Sequence, residues 1–143
     1  MPSAKNQTPS KLPSHRKRRG EWAEMKFMAE AAARGLAVLK PYGDCSRFDF
    51  VVNSGSAFHR VQVKCTTYFG EGAYRCGYFT RLGCYSPEQT DFLAAYVIPC
   101  DAWYIIPARA IKPGTLCLNL YPHRRRNRGR YEQFREAWPL LLD

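Results

Sequence analysis

The sequence has no CxxC pair among its six cysteines, no uninterrupted apolar run near the ~18 residues a membrane-crossing helix needs, and few acids for its number of bases. The first lack argues against a zinc site. Cys45, Cys65, Cys76, Cys84, Cys100 and Cys117 have the wrong spacing for one, and in a reducing compartment they read as small buried hydrophobes rather than disulfides. The second excludes an apolar spanning helix. The N-terminus is positive but lacks an apolar segment and a small-residue cleavage site, so no secretory signal is read there and a cytoplasmic location is expected. The third leaves 22 Lys and Arg against 12 Asp and Glu, a formal charge of +10. Such a balance favours a polyanionic partner, because each phosphate neutralised by Lys or Arg releases condensed counterions. Charge alone does not separate DNA from RNA.

Hydrophobic residues make up 45% and aromatics 14% of the 143 positions, enough for a packed core and compatible with one domain at this length. Residues 1–19 hold Pro, Ser, Asn and Gln and end in Arg16, Lys17, Arg18 and Arg19, which reads as a flexible basic arm ahead of a domain at 20–143. The composition from Glu21 to Arg34 predicts a helix stopped by Gly35. Strands are expected at Leu36–Lys40, Phe48–Asn53 and Phe58–Thr67, with Pro41 to Asp44 and Ser54 to Ser56 as turns. The stretch from Gly70 to Gly83, rich in Gly, Tyr, Phe and Arg, is compatible with further sheet or with loop. One helical turn is expected near Pro87–Thr90, then two buried strands at Asp91–Ile98 and Trp103–Ile106. The segment from His123 to Arg130 carries five arginines, Arg124, Arg125, Arg126, Arg128 and Arg130. Beyond it, Tyr131–Leu142 reads as a short amphipathic helix interrupted by Pro139. The order helix, three strands, insert, two strands and helix predicts an α/β fold with a mixed central sheet flanked by helices.

Alternation along the second and third strands carries the chemistry. Phe48, Phe50 and Val52 face one way and Asp49 the other, while Val61 and Val63 oppose Arg60, Gln62 and Lys64. A turn centred on Gly55-Ser56 pairs positions whose numbers sum to 111, which sets Phe50 against Val61 and Asp49 against Gln62. A slip of one residue would oppose an apolar row to a polar one, so the register is specified. Opposed Cβ atoms lie about 5 Å apart, and Lys64 is about 7 Å along the same face from Gln62.

Phosphodiester hydrolysis needs a cation to offset phosphoryl charge, a source of hydroxide and a group that stabilises the loaded transition state. Asp49, the Gln62 side-chain oxygen and the Val63 carbonyl make a partial oxygen shell of the kind Mg²⁺ or Mn²⁺ accepts, and Lys64 is placed to orient or deprotonate water. Glu24 shares a helical stripe with Phe27, Met28 and Ala31 and adds a second acid, with Glu21 on the neighbouring stripe as the alternative. Taken alone, Asp-x(n)-Gln-x-Lys is a short pattern, and a solvated polar face is its ordinary reading.

At Gly20-Glu21-Trp22-Ala23-Glu24, Phe48-Asp49-Phe50-Val51-Val52 and Val61-Gln62-Val63-Lys64 the sequence resembles the PD-(D/E)XK nuclease superfamily. Within it, the sequence is similar to the group represented by bacterial group I intron homing endonucleases, where Gln stands in place of an acid. Lys40-Pro41-x-Gly43-Asp44 and Trp103-Tyr104-Ile105-Ile106-Pro107 extend the likeness over about residues 20–111. The resemblance implies a restriction-endonuclease-like αβββαβ core. It also implies catalytic or metal roles for Glu24, Asp49, Gln62 and Lys64, a Mg²⁺ or Mn²⁺ cofactor, and a homing or repair-related endonuclease acting on double-stranded DNA as a homo-oligomer. The basic arm and the arginine cluster lie outside the likeness and are assigned to DNA backbone contact on charge. Two other readings remain: a non-catalytic nucleic-acid-binding module with a decayed nuclease site, of which Gln62 would be the trace, and an RNA-associated basic protein.

Overall fold

The computed structural model describes residues 12–80, 83–125 and 129–143. Helix α1 spans Arg16–Ala33, more than a turn earlier than the expected start at Glu21. Arg16, Lys17, Arg18 and Arg19 are therefore its opening turn, not part of a flexible arm: no proline or apolar break separates them from the Ala- and Glu-rich segment, and Arg and Lys are good helix formers. Residues 1–11 lie outside the described residues. Gly35, at φ +83°, stops the helix, and the Leu36 N–H donates back to the Ala31 carbonyl at 3.1 Å. No helix among the described residues is long and apolar enough to cross a membrane.

Three strands follow, β1 (Ala37–Leu39), β2 (Phe50–Asn53) and β3 (Phe58–Thr66). The turn between β2 and β3 is held by the Asn53 carboxamide oxygen accepting from Gly55 N–H at 2.8 Å, with Gly55 at φ +94°. Register is as the alternation requires: Phe50 pairs Val61 and Asn53 pairs Phe58. The insert forms β4 (Phe69–Gly70), β5 (Ala73–Gly77), β6 (Phe79–Thr80) and β7 (Gly83–Cys84). Then β8 (Phe92–Val97) lies parallel to β3, and β9 (Ala102–Pro107) lies antiparallel to β8. Strand β10 (Cys117–Leu120) completes the set. The central sheet runs β1-β2-β3-β8-β9, and a separate sheet runs β10-β5-β4.

The fold is the expected α/β class with a mixed central sheet. Between β3 and β8 the connection runs through the small strands, and Pro87–Thr90 make the one helical turn expected there, the Thr90 and Gln89 N–H groups donating to the Ser86 carbonyl, so the second helix of an αβββαβ core is reduced to that turn. The C-terminal segment makes two 3-10 turns, Glu132–Phe134 and Trp138–Leu141, because Glu136 takes a left-handed conformation at φ 53° and Pro139 lacks the N–H a helix needs.

Two cores sit on opposite faces of the central sheet. On one, Phe27 of α1 packs against Phe50, Trp103 and Trp138 at ring separations of 5.6–5.8 Å. On the other, Leu93, Tyr104 and Ile106 meet Leu118 and Leu120 of β10. The small sheet thus covers the face that a second helix was expected to cover.

Candidate active site at the fork of β2 and β3

Pairing between β2 and β3 ends at Phe50 and Val61, while β3 runs on to Thr66 beside β8. Asp49 stands at that fork. Its N–H still donates to the Val61 carbonyl at 2.9 Å, but its side chain turns to the freed edge of β3. There Asp49 Oδ2 accepts from the Val63 N–H at 2.8 Å and from Gln62 Nε2 at 2.7 Å. Ladder register and the end of pairing together aim this carboxylate.

Gln62 is buried, and its amide nitrogen also reaches the Val63 carbonyl at 3.3 Å. The expected orientation had its oxygen turned to a metal shared with Asp49. The structure turns the nitrogen to Asp49 because a carboxylate only accepts, and Gln62 Oε1 accepts no hydrogen bond among the described residues. An ionised acid at this position could not donate in this way.

Glu24, half-buried on α1, meets Lys40 with Oε2 and Nζ 3.8 Å apart. Burial, together with the neighbouring Asp49 charge, holds the Glu24 carboxyl above its usual range, against the pull of Lys40. Burial likewise raises Asp49, with the Val63 N–H, Lys64 and Lys40 pulling the other way. Both acids thus resist ionisation, chiefly because burial takes water from them. Lys64, from the same strand, lies with its Nζ 5.3 Å from the Tyr85 ring centre.

The cleft that joins these groups has a volume of about 640 Å³ and is lined by Glu24, Asp49, Gln62, Val63 and Lys64, all five sequence-predicted site residues. Arg16 and Arg19 line it too, because positions 16, 19, 20, 23 and 24 form one stripe of α1. Lys17 and Arg18 point elsewhere, beside Glu21, which the structure leaves out of the cleft. Arg124 and Arg130 line a different concavity with Asn119 and Tyr121, and Arg125 is exposed, so the terminal arginines do not converge on the fork. Arg126 and Arg128 lie outside the described residues. Lys40 was missed as a site residue: it sits in the turn motif, and only the packing of α1 against β1 brings it to Glu24.

The donor set fits a divalent cation. Two ionisable carboxylates, an amide oxygen without a hydrogen-bond donor among the described residues and a backbone carbonyl are hard oxygen ligands, and burial, which raises both acids, would be offset by a bound cation. No cluster of three or more His, Cys, Asp or Glu suited to a metal exists among the described residues.

The PD-(D/E)XK endonuclease sequence profile matches residues 14–141. The chain belongs to the PD-(D/E)XK endonuclease family. Endonucleases of this family generally use divalent metal ions. Among solved structures the chain is similar to the bacterial homing endonuclease I-Ssp6803I, with 28% identity, a TM-score of 0.77 and coverage of 90% of this chain and 91% of that one. It also shares its fold with Hjc, a Holliday junction resolvase from Archaeoglobus fulgidus, at 16% identity and a TM-score of 0.53 over 72% of this chain and 84% of that one. No curated protein sequence is significantly similar to it. The enzyme is therefore a restriction-endonuclease-like phosphodiester hydrolase.

Proposed function

We propose that the fork cleft is the catalytic centre of a divalent-metal-dependent endonuclease that cuts double-stranded DNA, with Glu24, Asp49, Gln62 and Lys64 as its working residues. The observation that carries this reading is geometric: Glu24 and Asp49 line one cleft with Lys64, and Asp49 Oδ2 is held by Gln62 and the Val63 N–H. Glu24, Asp49, Gln62 Oε1 and the Val63 carbonyl would hold Mg²⁺ or Mn²⁺, which when bound offsets phosphoryl charge and makes water easier to deprotonate.

This chain's own groups do the rest. Gln62 and the Val63 N–H clamp Asp49 Oδ2, which leaves Oδ1 the oxygen directed at a ligand. Lys64, lining the same cleft, orients the attacking water and stabilises charge gathering on the phosphoryl oxygens in this reading. The water oxygen bonds to phosphorus, the bond to the leaving oxygen breaks, and the proton lost by water is returned to the leaving oxygen from solvent. Arg16 and Arg19, at the cleft wall, supply phosphate contacts.

The homing endonuclease likeness, with Gln62 in place of an acid, supports a homing role, and the Holliday junction resolvase likeness speaks to fold alone. One centre cuts one strand, so a double-strand break would need an oligomer, detectable by sedimentation. The deciding experiment is nicking of supercoiled plasmid with Mg²⁺ against chelator. Asp49→Ala and Lys64→Ala should lose at least ~10²-fold in rate while still binding duplex. Undiminished cleavage in both variants removes the site. The neutral Gln62 favours one rival, a decayed binding module, and calorimetry discriminates: a decayed site takes up neither Mg²⁺ nor Mn²⁺.

A further inference from the structure

The β10-β5-β4 sheet has one face in the second core and one in solvent. Leu118, Leu120 and Cys76 point inward, so Arg75, Gly77, Cys117 and Asn119, which alternate with them, point out. Arg75 and Asn119 are direct ladder partners, and both are exposed. The Arg75 N–H donates to the Tyr68 carbonyl at 3.0 Å, which sets Tyr68, 61% exposed, in the same cross-strand row. Three side chains thus stand in line, two from β10 and β5 and the third from the residue just before β4. At the usual strand spacing the row is ~10 Å wide, against ~12 Å for the major groove of B-DNA.

Neither the Arg75 guanidinium nor the Asn119 carboxamide makes a side-chain hydrogen bond among the described residues, although each carries paired groups in a fixed plane. These are the two side chains whose geometry matches purine edges in the major groove, Arg with guanine O6 and N7 and Asn with adenine N6 and N7. The face is also continuous with the cleft. Tyr68 and Gly77 line the cleft wall, Gly77 is the ladder partner of Cys117, and Cys117 and Asn119 line the neighbouring concavity with Arg124 and Arg130. A positively charged concavity therefore flanks the row on the side away from the site. Gly70 and Gly77 keep the surface shallow, with the rings of Tyr68 and Phe79 lying over them.

We propose that the outer face of this sheet is a base-reading surface that enters the DNA major groove, with Arg75 reading a guanine, Asn119 reading an adenine within two base pairs of it, and Arg124 and Arg130 gripping the flanking phosphates. The inference rests on the proposal that the substrate is duplex DNA. It assigns to a surface without catalytic groups the choice of where the cleft acts.

The test is selection of bound duplexes from a randomised library in EDTA, followed by sequencing, with wild type, Arg75→Ala, Asn119→Ala and Arg124→Ala/Arg130→Ala. All four positions are exposed, so circular dichroism and thermal midpoint should be unchanged. Wild type should enrich one motif. Arg75→Ala should lose its preference for guanine at one position, and Asn119→Ala its preference for adenine at a nearby one, each by about 5- to 150-fold. The double arginine variant should bind every sequence more weakly and lower the slope of log affinity against log salt by about 2. The proposal is overturned if wild type enriches no motif, if it binds single-stranded RNA more tightly than duplex, or if Arg75→Ala and Asn119→Ala enrich the wild-type motif to the same depth. Plasmid cleavage is scored separately. Cleavage with an unaltered motif in the variants sinks this inference alone, whereas altered motifs without cleavage sink the catalytic reading alone.

Discussion

Asp49 and Glu132 are both carboxylates taken out of bulk water, and the chain treats them in opposite ways. Glu132, 3% exposed, accepts from the Tyr104 hydroxyl with both oxygens at 2.9 Å and from the Tyr121 N–H at 2.7 Å. It ties the C-terminal segment to β9 and to the end of β10, and burial with the adjacent Glu132 holds the Tyr104 hydroxyl far above its usual pKa. Asp49 has both of its side-chain hydrogen bonds on a single oxygen and a second acid, Glu24, as a neighbour. A carboxylate with donors on both oxygens is a structural tie, whereas one with an oxygen left over, beside a second acid in an open cleft, is a place for a cation. Both are carboxylates withdrawn from water, Glu132 fully and Asp49 in part at the wall of a cleft, and their partners differ.

The largest effect expected from breaking this contrast is at the fork. Asp49→Asn should remove cleavage by ~10²-fold or more without lowering the unfolding midpoint in urea, because an amide oxygen can still accept from the Val63 N–H and from Gln62 Nε2. Tyr104→Phe should do the reverse. It leaves Glu132 short of a donor in a buried setting, which costs about 1–3 kcal/mol in urea unfolding, with duplex binding retained. Equal stability losses at both sites would erase the distinction drawn here.

A smaller effect sharpens it. Because Glu24 and Asp49 are raised in the folded chain, the folded state holds their protons at pH values where the unfolded chain has released them. Their contribution to stability is therefore greatest at low pH and is lost as pH rises from the unfolded value through the raised folded one. Asp49→Asn should flatten that decline and, in chelator at neutral pH, raise the thermal midpoint by ~2–4 °C. Mn²⁺ should stabilise wild type above the folded values and fail to do so below them, where the acids are protonated. A midpoint indifferent to Mn²⁺ at every pH would remove the cation from the site. Smallest is Lys40→Ala: without its charge Glu24 should rise further, moving the acid limb of the cleavage profile to higher pH by a few tenths of a unit.

Much of the fork was legible in the sequence. Apolar alternation at Phe50, Val52, Val61 and Val63, with turn residues at Ser54 to Ser56, permits one register, and that register sets Asp49 against Gln62. The helical stripe through Arg16, Arg19, Gly20, Ala23 and Glu24 was equally open to view. It does not stand out, because a run of basic residues after Pro and Ser looks like a tail, and helix propensity does not show where a helix starts when no side-chain cap marks the place. The orientation of the Gln62 amide and the approach of Lys40 were not legible: each answers to a partner brought in by packing rather than by chain spacing.

The sequence by itself determined which residues could face one another across the hairpin, because a period of two and a tight turn are local constraints. It also determined the excess of positive charge. Tertiary structure decided what lay far apart in the chain. It ended the β2 ladder at Phe50 so that Asp49 could turn to β3, carried the connection to β8 through small strands instead of a helix, and joined β5 to β10 across some forty residues. Long-range pairing depends on how two surfaces fit together, and no short window of residues holds that information. The row of Tyr68, Arg75 and Asn119 exists only through that last pairing.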